Sequence, residues 1–406
     1  MNQKETTMYF PIDEYETRWS NVLEAMRQRG FDWALIWGRS GGTFERCNDI
    51  LYLSNYYSSQ SGHEYDSTEW MGVSFSAMVI GGQDLPEMVV DEPDFPAELL
   101  PLPASNVTWE PHLIEGVAKL IRSKPISRIA MVGTDFLPVK YARLLEAELP
   151  DVEFVEADDL VREVRKQKSP RELDCYREIG VKVTAAMDVM VQAASKGGVT
   201  QAEVAALGTA ELMRHGGVPH MVPVSSGPTM FNHCGDPILG SSPNVMLEEG
   251  DMVRMWIYGP VYQGYWSDPG RTVIVGGKGT ARQRQLIENA NHIITTLMNE
   301  IRPGRRFSEI AALGNELRAS MDTEEDQPGK MWPIYGHGVG LFWEDPWLTA
   351  AAANPTGEDP VFHEGQTYST ETFLHWSGVG SAGAEQNFIV WNDGNELLTT
   401  TDLVNW

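Results

Sequence analysis

Cysteine is scarce in this chain of 406 residues. Cys47, Cys175 and Cys234 stand far apart with no CxxC pair, which argues against a disulfide framework and against a thiolate zinc site. Long apolar runs are missing as well. No stretch approaches the roughly 18 residues that a bilayer crossing needs, so no membrane partner is expected. Met1-Asn2-Gln3-Lys4-Glu5 lacks the apolar core of a secretion signal, which makes the cytoplasm the expected compartment. Positive charge is in short supply: 31 Lys and Arg face 57 Asp and Glu, a formal charge of −26. Such a surface repels phosphate backbones and argues against nucleic acid as a partner. It leans instead toward a cationic or zwitterionic small molecule. The N-terminal part holds no Gly-rich phosphate loop.

What is there is a globular composition, 42% hydrophobic and 22% charged, at a length that suggests two domains. Residues 14–29 space Trp19, Val22, Leu23 and Met26 as a helix does, and Gly30 stops it. Strands are predicted over 33–37, 74–80, 88–91 and 129–132, with a helix over 114–123. This alternation describes a small α/β domain over residues 1–165. Ser169, Pro170 and Glu172 then carry the chemistry of a helix start, and the periodic run continues to about Ala194. A second domain over 166–406 makes the chain α+β overall.

That second domain contains an internal repeat. Gly198-Val199-Thr200-Gln201-Ala202-Glu203-Val204-Ala205-Ala206-Leu207-Gly208 aligns with Gly304-Arg305-Arg306-Phe307-Ser308-Glu309-Ile310-Ala311-Ala312-Leu313-Gly314, 106 residues on. Each copy follows a long helical segment and leads to a Glu-Gly turn into strands, at Glu249-Gly250 and Glu364-Gly365. Two similar helix-helix-strand units, packed side by side with their sheets joined, account for this order. The period is too long for a solenoid.

The residues able to do chemistry lie in this half. Residues 252–258 and 262–275 read as paired strands turning at Gly259-Pro260. Asp268 lies inside the second, where a carboxylate neither packs nor keeps its hydration unless it has a partner. Pro269-Gly270 suggests a bulge that re-aims side chains. His337 stands between Gly336 and Gly338, where backbone can approach closely. Glu371 falls in a strand over 367–374, and Glu385 leads into one over 384–391. Three carboxylates and one imidazole form a donor set that suits Mn, Fe, Co or Zn.

The order of hairpin Asp268, Gly336-His337-Gly338-Val339-Gly340, strand Glu371 and strand Glu385 resembles the methionine aminopeptidase, aminopeptidase P and creatinase family. The run Val164-Arg165-Lys166-Gln167-Lys168-Ser169-Pro170-Arg171-Glu172 is similar to that family's linker into its catalytic half. The resemblance covers about residues 160–400. It implies a C-terminal pita-bread domain with a pseudo-twofold repeat, behind a creatinase-like N-terminal domain. It implies that Asp268, His337, Glu371 and Glu385 form a metal shell. The family's two-metal peptidases carry another Asp eleven residues before the first, and this chain has Ile257 there. One divalent ion per subunit is therefore expected, with at most a weak second. The resemblance further implies that Glu371 doubles as proton acceptor and that His233 stabilises or protonates the intermediate. Family peptidases place a second histidine seven residues after the first; here it is Glu344. The family's dimethylsulfoniopropionate lyases also carry an acid there, but they have an aspartate where this chain has Trp343. Family members of this length are commonly homodimers with the N-terminal domain over the partner's pocket, which makes Tyr56, Tyr57 and His63 candidates for reaching across.

Aromatic residues crowd these motifs: Trp256 and Trp266 near Asp268, Trp332 and Trp343 near His337, Trp376 near Glu371. Aromatic faces attract cations. Trp256, Ile257, Trp343 and Glu344 are accordingly the expected substrate contacts. The expected function is metal-dependent hydrolysis of a C–N bond in a small amide, amidine or atypical dipeptide, cationic or zwitterionic, and not general peptide cleavage. The alternatives are a lyase of the same fold acting on a small sulfonium or ammonium carboxylate, a metal-free creatinase-like amidinohydrolase, and a non-catalytic member that binds partners.

Overall fold

The computed structural model describes residues 8–40, 46–58, 74–93, 95–227, 230, 235–321, 333–403 and 406. The chain divides into two compact units, Met1–Arg165 and Lys166–Trp406.

In the first unit, α1 (Ile12–Gln28) buries Tyr15, Trp19, Val22 and Met26 on one face and ends before Gly30, whose φ is +74°. The sheet contains β1 (Trp33–Arg39), β2 (Phe75–Gly81), β3 (Glu87–Val90), β4 (Val107–Trp109), β5 (Arg128–Val132) and β6 (Glu153–Glu156). Its order is β4-β3-β2-β1-β5-β6. The β1–β2 and β2–β3 pairs are antiparallel and the others parallel. The remaining helices are α2 (Asn48–Ser54), α3 (Leu113–Arg122), α4 (Val139–Glu148) and α5 (Asp159–Lys166). Leu35, Trp37, Val79 and Val89 of the sheet form one core with Val117, Ile121 and Leu145.

In the second unit, α6 (Pro170–Lys196) starts at a reciprocal cap. Ser169 Oγ accepts the Glu172 N–H at 3.1 Å, and Glu172 Oε2 accepts the Ser169 N–H at 2.8 Å. Thr200 and Glu203 cap α7 (Gln201–Arg214) in the same way, and Thr280 and Gln283 cap α8 (Ala281–Glu300). With α9 (Phe307–Ala319), the repeated sequence falls on the start of α7 and of α9. The strands are β7 (Val224–Ser226), β8 (Met252–Trp256), β9 (Gly259–Tyr262), β10 (Tyr265–Ser267), β11 (Gly270–Ile274), β12 (Ile334–Val339), β13 (Trp343–Thr349), β14 (Thr367–Trp376), β15 (Gly380–Ile389) and β16 (Glu396–Leu397). The main sheet runs β13-β12-β14-β15-β11-β8-β7, with β16 on β15. The first copy supplies β7, β8 and β11, and the second supplies β12 to β15. The two meet at β11–β15, where Gly270 faces Glu385. Leu286, Ile293, Leu297 and Ile310 of the helices share a core with Tyr368, Leu374 and Phe388 of the strands. Among the described residues no helix is long and apolar enough to cross a membrane.

Three expectations are corrected here. The strand predicted over 262–275 breaks at Asp268-Pro269 into β10 and β11, since proline cannot donate to a ladder. Gly259-Pro260 is not the turn but the start of β9, which pairs with β10. The turn falls at Gln263-Gly264, both with positive φ. Glu385 also lies in the middle of β15 and not at a strand's start.

Candidate metal centre

Asp268 sits in the break between β10 and β11, and Asn387 of β15 fixes its backbone. Asn387 Oδ1 accepts the Asp268 N–H at 2.8 Å and the Ser267 hydroxyl at 2.9 Å, and Asn387 Nδ2 donates to the Asp268 carbonyl at 3.3 Å. His337 is on β12, between residues that must lack side chains. A Cβ on Gly336 would collide with the Ser369 carbonyl of β14, and one on Gly338 would come within 2.9 Å of the Glu344 carbonyl. Glu371 and Glu385 stand opposite each other across β14 and β15. The four side chains converge. His337 Nε2 lies 3.7 Å from Asp268 Oδ2, 3.6 Å from Glu371 Oε1 and 3.4 Å from Glu385 Oε1. None of the four is more than 5% exposed. One donor atom each from Asp268, His337 and Glu385 falls within 4.8 Å of the others.

His337 Nδ1 is 2.9 Å from the Gly338 carbonyl, which can only accept. Nδ1 therefore carries the proton and Nε2 turns its lone pair toward the acids, the orientation a metal ligand needs. Two indoles hold the carboxylates: Trp343 Nε1 donates to Asp268 Oδ2 at 2.6 Å, and Trp256 Nε1 to Glu385 Oε2 at 2.9 Å. Ser369 Oγ donates to Glu385 Oε1 at 2.6 Å. Burial, and then the charge of Glu385, holds the Asp268 carboxyl well above the usual carboxylate range. Burial pushes Glu385 up to about 8. Three buried acids around an inward-facing imidazole lone pair are a fitting donor set for a divalent ion, because that ion's charge would offset the burial penalty on their ionised forms.

Residues 174–392 match metallopeptidase family M24, and residues 18–167 match the creatinase/prolidase N-terminal domain. The chain belongs to metallopeptidase family M24. It is similar to a probable dipeptidase PepE of Mycobacterium tuberculosis, 29% identical over 270 residues, 66% of this chain and 67% of that one. A Xaa-Pro dipeptidase of Lactobacillus helveticus is 24% identical over 276 residues, 67% of this chain and 70% of that one. The dipeptidase PepE structure from Mycobacterium ulcerans matches with a TM-score of 0.74 at 24% identity, over 98% of both chains. The two-domain, pita-bread architecture expected from the sequence is the one this M24 chain has. It is a metallohydrolase acting on C–N bonds.

Trp256 and Ile257 are 1% and 2% exposed, as deeply buried as the four convergent side chains. Glu344 is buried in an ion pair with Lys168 at 2.8 Å. Trp343 is half-buried and belongs to an aromatic group beside these four side chains. Its ring lies 5.2 Å from Trp266, 5.7 Å from Tyr258 and 6.4 Å from Trp347, and Trp347 lies 4.9 Å from the His337 ring. Trp376 packs in the hydrophobic core. Tyr56 is 1% exposed and does not project, while Tyr57 is half-buried. His233, Trp332 and His63 lie outside the described residues. Sequence reasoning missed Ser369, Asn387 and Lys168. Only Lys168 carried a signal, inside the linker run.

Proposed function

We propose that this enzyme hydrolyses the C–N bond of a small amide, amidine or atypical dipeptide whose cationic or zwitterionic end lies against the half-buried Trp343, Trp347 and Tyr258. The observation that carries this reading is the position of that aromatic group, with Trp343 bonded to Asp268 and Trp347 beside His337. Ring faces attract a cation by about 0.5–2 kcal/mol, more when water is excluded. Asp268, His337, Glu371 and Glu385 would hold one divalent ion, Mn, Fe, Co or Zn. Such an ion supplies a Lewis acid that polarises the carbonyl under attack and acidifies water. Asn387 and Trp343 hold Asp268 in position. Gly338 keeps the His337 proton on Nδ1 and so leaves Nε2 free to bind. Glu371 accepts the proton given up by the attacking water, and His233 stabilises or protonates the intermediate, both roles carried over from the resemblance. The functional unit is a homodimer by the same resemblance. The lyase alternative needs a base where Trp343 stands, and an indole N–H that donates to Asp268 cannot serve as one.

The test is turnover in oxygen-18 water on a panel of dipeptides, with N-acetylated and amidated analogues of equal size. The expected result is one solvent oxygen per product carboxyl and at least a tenfold higher kcat/KM for zwitterionic members. Turnover without solvent oxygen would establish the lyase. Equal kcat/KM across the panel would overturn the aromatic reading, and full activity after chelation would overturn the metal.

A further inference from the structure

Trp256, Gly270 and Glu385 form a row across three neighbouring strands. Gly270 on β11 faces Trp256 on β8 on one side and Glu385 on β15 on the other. Because position 270 has no side chain, the indole crosses over the middle strand. A Cβ on Gly270 would fall inside the Trp256 ring, and one on Gly383 would come within 2.7 Å of it. Phe373 stacks on the same ring, centroids 4.9 Å apart and planes at 20°. At 1% exposure the indole has one possible place, and its N–H ends 2.9 Å from Glu385 Oε2.

This separates the two oxygens of Glu385. Oε1 faces His337 Nε2 at 3.4 Å, and Oε2 faces the indole. Three carboxylates and an imidazole hold enough donor atoms for two cations, and a carboxylate that presents one oxygen to each of two cations needs both oxygens open. On the Oε2 side a neutral ring fills the space a second cation would take. The next residue offers no help. Ile257 is apolar and 2% exposed, and its backbone N–H is spent on the Pro269 carbonyl at 3.2 Å, beside Asp268.

We propose that Trp256 sets the number of cations at this centre to one, by spanning Gly270 and capping Glu385 Oε2. The proposal rests on the reading of Asp268, His337, Glu371 and Glu385 as a metal site. It is tested by Mn2+ titration calorimetry and metal analysis on the full chain, independent of turnover. The wild type should take one ion per chain, with no second at tenfold excess. Trp256→Phe keeps the ring stack and removes the N–H; it should admit a second ion with affinity raised at least tenfold. Ile257→Asp alone should still take one ion, and Trp256→Phe with Ile257→Asp should take two. A Trp256→Phe protein that titrates like the wild type would overturn the proposal. So would two ions in the wild type, or a second ion bound equally well by Ile257→Asp with and without Trp256. No ion in the folded wild type would instead sink the metal reading, and the proposal with it. Trp256→Phe decides the matter by itself if the buried aspartate prevents folding.

Discussion

Replacing Lys168 by Met would take from the buried Glu344 carboxylate the ammonium that lies 2.8 Å away. The two side chains are 2% and 3% exposed and 2.8 Å apart. Removing one member of so deep a pair costs about 3–5 kcal/mol, because the remaining charge has lost its compensation. At roughly 2–4 °C per kcal/mol for a unit of this size, the melting temperature should fall by about 6–20 °C. The double variant Lys168→Met with Glu344→Met replaces the pair by unbranched apolar chains and should recover most of that loss, as such exchanges are often neutral. Gly340 presses directly on the Glu344 carboxylate, so the recovery depends on an unbranched side chain. Urea unfolding of the wild type, both single variants and the double closes the cycle. A Lys168→Met loss under about 1 kcal/mol, the range of exposed pairs, would refute the reasoning.

Asp91 should make stability fall with pH. Burial pushes its carboxyl up to about 7, with Oδ2 accepting the Phe75 N–H at 2.9 Å and Oδ1 without a hydrogen-bond partner among the described residues. Between about pH 4 and pH 7 the folded chain keeps a proton that the unfolded chain has released, so stability declines across that window, by up to about 4 kcal/mol, and levels off above it. Asp91→Asn keeps the bond to Phe75 and should remove this slope; parallel denaturation curves for the two proteins against pH would count against it. Two helix glycines should also behave differently. A Cβ on Gly180 would collide with the Leu398 backbone carbonyl, which cannot yield, so Gly180→Ala should lose about 1–3 kcal/mol. A Cβ on Gly208 would press on Met190 Sδ and lie 2.5 Å from its Cγ, and meets backbone only at ordinary contact distance; a flexible side chain can turn aside, so Gly208→Ala should lose less than Gly180→Ala, with helix propensity offsetting part of the contact. Equal melting temperatures for the two variants would refute the distinction.

Local chemistry accounts for what could be read in the sequence. Gly30 ends α1 because its backbone turns left-handed there, and Ser169 with Glu172 starts α6 because two orphan N–H groups find acceptors within three residues. The repeat was visible because both copies place the same residues at a helix start. Three of the four convergent side chains were visible as acids in stretches that read as strands, where an unpartnered carboxylate is out of place, and His337 as an imidazole between glycines. The supporting groups were not visible. Lys168 meets Glu344 across 176 residues of chain, and Asn387 meets Asp268 across 119. Nothing in either neighbourhood announces the other. The bonds from the Trp256 N–H to Glu385 and from the Trp343 N–H to Asp268 were not visible either, because the sequence shows a ring and not the direction of its N–H. Gly259-Pro260 looked like a turn because its pairing with β10 depends on Gln263-Gly264 further on.

The seam at β11 and β15 bears on how the C-terminal unit stays whole. Asp268 arrives from the first copy of the repeat, and His337, Glu371 and Glu385 from the second, with Gly270 opposite Glu385 where the copies meet. An ion held by all four, as proposed, would be a rivet through the midline of the unit. It would fasten two halves that otherwise share sheet hydrogen bonds and packing, with a grip that grows with free ion as RT ln(1 + [ion]/Kd). A chain stripped of such an ion would lose that increment along the line that divides the two copies.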